Sequence, residues 1–152
     1  AAAPGPLVLT PHPGELARLV DATPAEVQAD RLSSARRAAS RFRCVVVLKG
    51  ARTIVAQPDG EAFIIPTGNP GMATGGMGDV LTGMIASFIG QGLPATEAAW
   101  TAAYLHGLAA DLIAEDRGVV GILASEVAHR IPAAIARVQR GAQPDPVVLL
   151  RD

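Results

Sequence analysis

Cysteine, lysine and aromatic side chains are scarce in this 152-residue chain. Its single cysteine, Cys44, cannot close an internal disulfide, and no Cys/His set stands at zinc-ligand spacing. That excludes a disulfide-stapled scaffold and a zinc finger, and fits a reducing compartment. With 3 Phe, 1 Tyr and 1 Trp, the core has to be built from Ala, Val, Leu and Ile. No uninterrupted apolar run reaches the roughly 18 residues of a spanning helix. The opening AAAPGPLVLT lacks the basic and long apolar regions of a secretory leader. Charge is balanced as well: 13 basic against 14 acidic residues leave −1, with no global field for nucleic acid phosphates or an anionic membrane surface. The expectation is a soluble cytoplasmic protein without nucleic acid or membrane partners.

What is present is a chain 49% apolar with 16 Gly and 12 Pro, too hydrophobic and too weakly charged to be disordered. Its length suits one domain. Of the 13 basic residues only Lys49 is a lysine, which raises the question of why arginine would not serve there.

The pattern along the chain is strand, helix, strands, glycine loop, helices. Leu7–Leu9 is a short apolar run closed by TPHPG, whose prolines and glycine are expected to stop any regular element. Thr23, Pro24 and Glu26 form a capping box ahead of a helix expected from about Pro24 to Arg41. Cys44–Leu48 is the continuous apolar run of a strand covered on both faces. Thr53–Ala56 and Ala62–Ile65 read as two strands around the Pro58-Asp59-Gly60 turn. From Gly76, the apolar series Val80, Leu81, Met84, Ile85, Phe88 and Ile89 predicts a broad-faced, central helix. Helices over 94–115 and 125–138 follow, the second expected to kink or split at Pro132, and PDPVVLL at the end reads as a strand or docked tail.

The segment TGNPGMATGGMGD places five glycines between Gly68 and Asp79 and then opens a helix. Backbone N–H groups there lack intrahelical partners and sit at the positive end of the dipole, so Gly75, Gly76, Met77 and Gly78 form a candidate anion site. A carboxylate beside such a site is repelled by phosphate unless it has a task, and the natural task for Asp79 is general base toward a hydroxyl. The structural alternative is a first-turn aspartate that complements the helix dipole. No GK[ST] P-loop and no strand-linked GxGxxG is present, so neither common phosphate motif applies.

TGNPGMATGGMGD, together with TPHPGE at 10–15 and LKGART at 48–53, resembles the ADP- or ATP-dependent NAD(P)H-hydrate dehydratase family of the ribokinase-like superfamily. The likeness runs over about 7–138. It implies a ribokinase-like three-layer α/β/α sandwich, with residues 1–152 forming one domain that is incomplete on its N-terminal side. Asp79 then matches the catalytic aspartate, and Gly75, Gly76, Met77 and Gly78 the anion hole. Lys49, Gly50, Ala51, Arg52 and Thr53 match the segment that holds the adenine nucleotide, with Gly78 also touching it. His12 matches the histidine that contacts the hydrated dinucleotide. Related kinases carry at the TPHPGE position a glutamate linked to magnesium through water, which points to Glu15; a plain first-turn helix glutamate is its alternative reading.

The implied reaction phosphorylates the hydroxyl of hydrated NADH or NADPH with ADP or ATP and eliminates phosphate, with Mg2+ as cofactor. The resemblance also implies a homo-oligomer and allows an epimerase domain upstream. Lys49 fits as a compact point charge for phosphate, or else snorkels from a strand end. His106 reads as a packing or intersubunit residue, His129 as helix surface and Cys44 as core. Two other readings stay open: a ribokinase-like kinase for a vitamin precursor, and a nucleotide-binding fragment without catalysis.

Overall fold

The computed structural model describes residues 5–141 and 147–150. Strands β1 (Val8–Leu9), β2 (Val45–Leu48), β3 (Ile54–Ala56), β4 (Ala62–Ile64) and β5 (Val148–Leu150) form one sheet in that order. β1 and β2 are parallel, and every later pairing is antiparallel. Helices α1 (Pro13–Leu19), α2 (Pro24–Ala29) and α3 (Arg31–Phe42) precede β2. Helices α4 (Met77–Gly90), α5 (Ala95–Arg117) and α6 (Ala124–Gln139) follow β4.

Period-two alternation along β2 divides the interior. Val46 and Leu48 face Leu16, Val27, Ala35 and Ala38 of the first three helices. Val45 and Val47 share a second core with Leu81, Ile85, Ala102, Ala109 and Val127 of the last three. A continuous apolar strand therefore serves two cores at once, and the result is a three-layer α/β/α sandwich. The sequence expectation holds for this architecture.

Several elements differ from the sequence reading. TPHPG does not stop the chain: Pro13 occupies the first turn of α1, and His12 caps it through Nδ1, which accepts from Gly14 N at 3.0 Å and Glu15 N at 3.2 Å. The expected single helix over 24–41 is two, because Asp30 leaves helical geometry and its Oδ1 accepts from Ser33 N at 3.0 Å, starting α3 afresh. A single 3-10 turn, Pro70–Met72, interrupts the glycine segment. Helix α6 runs through Pro132 as one element; Pro132 is exposed, so water can satisfy the one carbonyl it leaves unbonded while Val127 and Ala134 stay packed. α5, with twelve buried residues, is more enclosed than α4. The chain end folds as strand β5, whereas Pro144-Asp145-Pro146, the termini and so the full 1–152 extent lie outside the described residues.

Candidate nucleotide and hydroxyl site

The carboxyl end of β2, the β2–β3 turn, the 66–75 loop, the first turn of α4 and one face of α5 enclose a cleft of about 840 Å³. It is lined by His12, Lys49, Gly50, Ala51, Arg52, Thr53, Gly75, Met77 and Gly78 among the residues expected from sequence. Gly76, Asp79 and Glu15 stand outside the lining. Gly76 makes the left-handed turn (φ 86°) into α4, where a Cβ would meet the Ala124 methyl at 3.2 Å. Asp79 follows Gly78 in the same helical turn and is exposed. Among the described residues its carboxylate has no hydrogen-bond or ion-pair partner, and only its backbone N–H is engaged, by Gly76 O at 3.1 Å.

No side chain caps α4, and while Asp79 N and Val80 N bond to Gly76 O, the N–H groups of Met77 and Gly78 have no partner among the described residues and remain available to an anion at the positive end of the helix. The Lys49 ammonium joins them: a Cβ built at Gly78 would lie 3.1 Å from Lys49 Nζ. Glycine at 78 lets the one lysine of the chain lie against the helix start. On its other side Lys49 Nζ is 3.5 Å from Glu15 Oε2. Glu15 Oε2 also accepts from His12 N at 2.6 Å, and that bond, with help from Lys49, holds the Glu15 carboxyl below its ordinary value. Because His12 Nδ1 accepts two backbone N–H groups, its neutral ring carries the proton on Nε2, which leaves that nitrogen to donate.

Three contributors were not legible from sequence. Arg31 lies behind the β2–β3 turn and donates to Leu48 O, Lys49 O and Ala51 O at 3.2, 3.4 and 3.0 Å. Asp111 on α5 accepts from Gly68 N at 2.8 Å and Asn69 Nδ2 at 2.9 Å, and so fixes the loop that leads to the anion site. Each is more than fifteen residues from its partners, so no local pattern announces it. The third, His106, is packed as one of its two sequence readings had it, at 5% exposure; what no pattern indicated is that it also lines the cleft. Its Nε2 has no partner among the described residues. His129 is exposed with Nδ1 2.6 Å from Ser125 O, and Cys44 is buried, both as read from sequence.

Burial pushes the His106 imidazole down to about 4. The unfolded chain takes up that proton near its ordinary pKa of about 6.5, so stability is complete above that pH and is lost as pH falls toward 4. The expected loss between pH 7 and 4.5 is about 2 kcal/mol. Urea melts at fixed pH should show this limb, and His106→Leu should flatten it. Glu15, Glu26, Asp30 and Glu126 are depressed carboxylates, and their contributions are lost only at still lower pH.

An α/β/α sandwich whose GGMGD turn opens a helix beside a lysine-lined cleft defines the ribokinase-like class. The chain matches the NAD(P)H-hydrate dehydratase family model over residues 1–133 and belongs to that family. It is 52% identical over 135 residues to the bifunctional NAD(P)H-hydrate repair enzyme of Moorella thermoacetica, covering 89% of this chain and 26% of the relative. It is likewise 52% identical over 129 residues to the ADP-dependent (S)-NAD(P)H-hydrate dehydratase of Neisseria meningitidis, covering 84% and 43%. The crystal structure of the ADP/ATP-dependent NAD(P)H-hydrate dehydratase from Bacillus subtilis, co-crystallised with ATP/Mg2+, superposes with a TM-score of 0.86 at 38% identity over 90% of this chain and 50% of that one. A hydroxyethylthiazole kinase from Pyrococcus horikoshii shares the fold alone, at TM-score 0.72 and 17% identity. The chain thus spans between a quarter and a half of the length of these relatives.

Proposed function

We propose that this chain supplies the nucleotide site and catalytic aspartate of an ADP- or ATP-dependent dehydratase that returns the S-form of hydrated NADH or NADPH to the reduced coenzyme. The observation that carries it is the meeting of Lys49, the 50–53 turn, the uncapped α4 start and His12 in one cleft. A hydroxyl leaves poorly, whereas its phosphate ester leaves readily. Asp79 takes the proton as the substrate hydroxyl oxygen bonds to the terminal phosphorus of the nucleotide, and the bridging P–O bond of ADP or ATP breaks. Developing charge on the transferring group meets the N–H groups of the glycine turn and the Lys49 ammonium. The phosphate ester then loses phosphate, and the adjacent carbon loses a proton, which restores the dihydronicotinamide ring.

The described residues contain no cluster of three His, Cys, Asp or Glu side chains that could cage a metal ion. A Mg2+ arriving with the nucleotide would neutralise charge on its phosphates. Glu15 keeps lone pairs beyond its His12 and Lys49 contacts and is the residue we assign to a metal-bound water. The same reading includes a homo-oligomer in the cytoplasm, and an epimerase domain on the parent chain, the latter supported by relatives named as bifunctional. Among the described residues no helix is long and apolar enough to cross a membrane.

The test is to incubate the full-length protein with hydrated NADH and either ADP or ATP, following reduced-nicotinamide absorbance and inorganic phosphate together. Both signals should rise in parallel. Nucleotide consumption with a stable phosphoester and no NADH would instead identify a small-molecule kinase, and no nucleotide consumption a non-catalytic binding domain.

A further inference from the structure

Arg31 breaks a local rule. It is the first residue of α3, where a cation faces the positive end of the helix dipole, and its side chain is partly withdrawn from water. Such a position is unfavourable unless the guanidinium gains something elsewhere. What it gains is the back of the β2–β3 turn. Nη1 donates to Ala51 O, and Nη2 donates to Leu48 O and Lys49 O. The turn it holds is one that would not keep its shape unaided: Gly50 lies at φ 139° and the non-glycine Arg52 at φ 56°. Left-handed backbone at a residue with a side chain costs about 1 kcal/mol. Gly50 also makes room for the clamp, since a Cβ there would stand 2.8 Å from Arg31 Nη1. The break at Asp30 that divides the expected single helix is what starts α3 at Arg31 beside this turn.

We infer that Arg31 is the positioning residue of the nucleotide-binding turn, fixing from behind the place where Lys49 and the 50–53 backbone meet the phosphates of an adenosine di- or triphosphate. This rests on the nucleotide-dependent function proposed above. Arg31 lies behind the turn and outside the cleft lining, so its role is read in affinity more than in chemistry. The planar fork reaches Ala51 O from one nitrogen and Leu48 O and Lys49 O from another, whereas the three donors of an ammonium radiate from a single point at the end of a flexible stem.

The test compares the wild-type protein with Arg31→Met and Arg31→Lys by calorimetric titration of ADP and ATP, melting temperature, and steady-state kinetics. Both variants should raise Kd and KM for nucleotide by about tenfold or more, while kcat at saturating nucleotide stays within about threefold. If Arg31→Met fails to fold, Arg31→Lys carries the same readouts. A lowered melting temperature with nucleotide Kd within about twofold of wild type in either folded variant overturns the inference, since a merely structural arginine behaves that way. Wild-type protein that binds neither ADP nor ATP overturns the proposed function, and this inference with it.

Discussion

Asp79→Asn is expected to lower turnover of hydrated NADH by at least about a hundredfold while leaving nucleotide affinity intact or slightly improved, because a positioned general base contributes about 10²–10⁴. Asparagine keeps the volume and removes both the charge and the proton-accepting capacity. The loss falls on kcat, since a hydroxyl that cannot shed its proton attacks phosphorus poorly, whereas ground-state binding of ADP or ATP no longer meets an adjacent carboxylate. The helix-dipole reading predicts the opposite division. Asp79 sits in the first turn of α4 and is exposed, so if that were its only role the substitution would cost at most about 1 kcal/mol of stability and leave turnover alone. Turnover within threefold of wild type, in protein that melts a few degrees lower, would therefore remove Asp79 from the chemistry. The free carboxylate favours the catalytic reading: the side chain is not consumed as a cap or in an ion pair among the described residues, although Lys49 lies against the neighbouring Gly78.

What the sequence made legible follows from the range of the interaction concerned. The glycine turn, the uncapped helix behind it and the β2 run are local patterns, and each was readable because the residues that specify it are adjacent. The cap of α1 is local too, yet it was missed, since His12 takes the place usually held by Ser, Thr, Asp or Asn, and its ring nitrogen does what a side-chain oxygen would. The break at Asp30 was hidden by apolar periodicity that continues across it: Val27, Ala35 and Ala38 share one core although two helices supply them. Lys49 stands out by its solitude in the composition and takes its phosphate role from the family resemblance, whereas the bonds from Arg31 to the turn that carries it have no signal near Arg31 in sequence. Asp111 was hidden in the same way on a long helix that reads as packing, as was the place of the packed His106 in the cleft wall. Motifs are written along the chain, whereas the contacts that support the expected site residues, such as those of Arg31 and Asp111, are made across the fold.

Gly107→Ala carries the second large expected effect, and its sign runs against propensity. Gly107 is buried in the middle of α5, where alanine would favour the helix by up to about 1 kcal/mol. The Cβ would stand 2.4 Å from Thr67 Oγ1, 2.6 Å from Thr67 C and 2.8 Å from Gly68 N. The hydroxyl could rotate, although it would then surrender its 2.8 Å bond to Tyr104 O, but the two backbone atoms have no such freedom. Gly68 N is itself fixed by Asp111 one turn further along α5, so the loop cannot retreat without breaking that bond. Overpacking of this kind typically costs about 1–3 kcal/mol and reaches the upper end when backbone has to move, which exceeds the propensity gain. The expected net loss is about 2 kcal/mol in the unfolding free energy from chemical denaturation, accompanied by weaker ADP and ATP binding, because Thr67 and Gly68 line the cleft. Gly83→Ala is the control: it lies within α4 with nothing inside 4 Å of a built Cβ, so it should stabilise by up to about 1 kcal/mol. Opposite signs for two glycine-to-alanine changes in neighbouring helices would show that α5 and the 67–68 backbone are held at contact distance. Matching signs would mean that the loop yields freely and that the nucleotide cleft is not rigidly supported from this side.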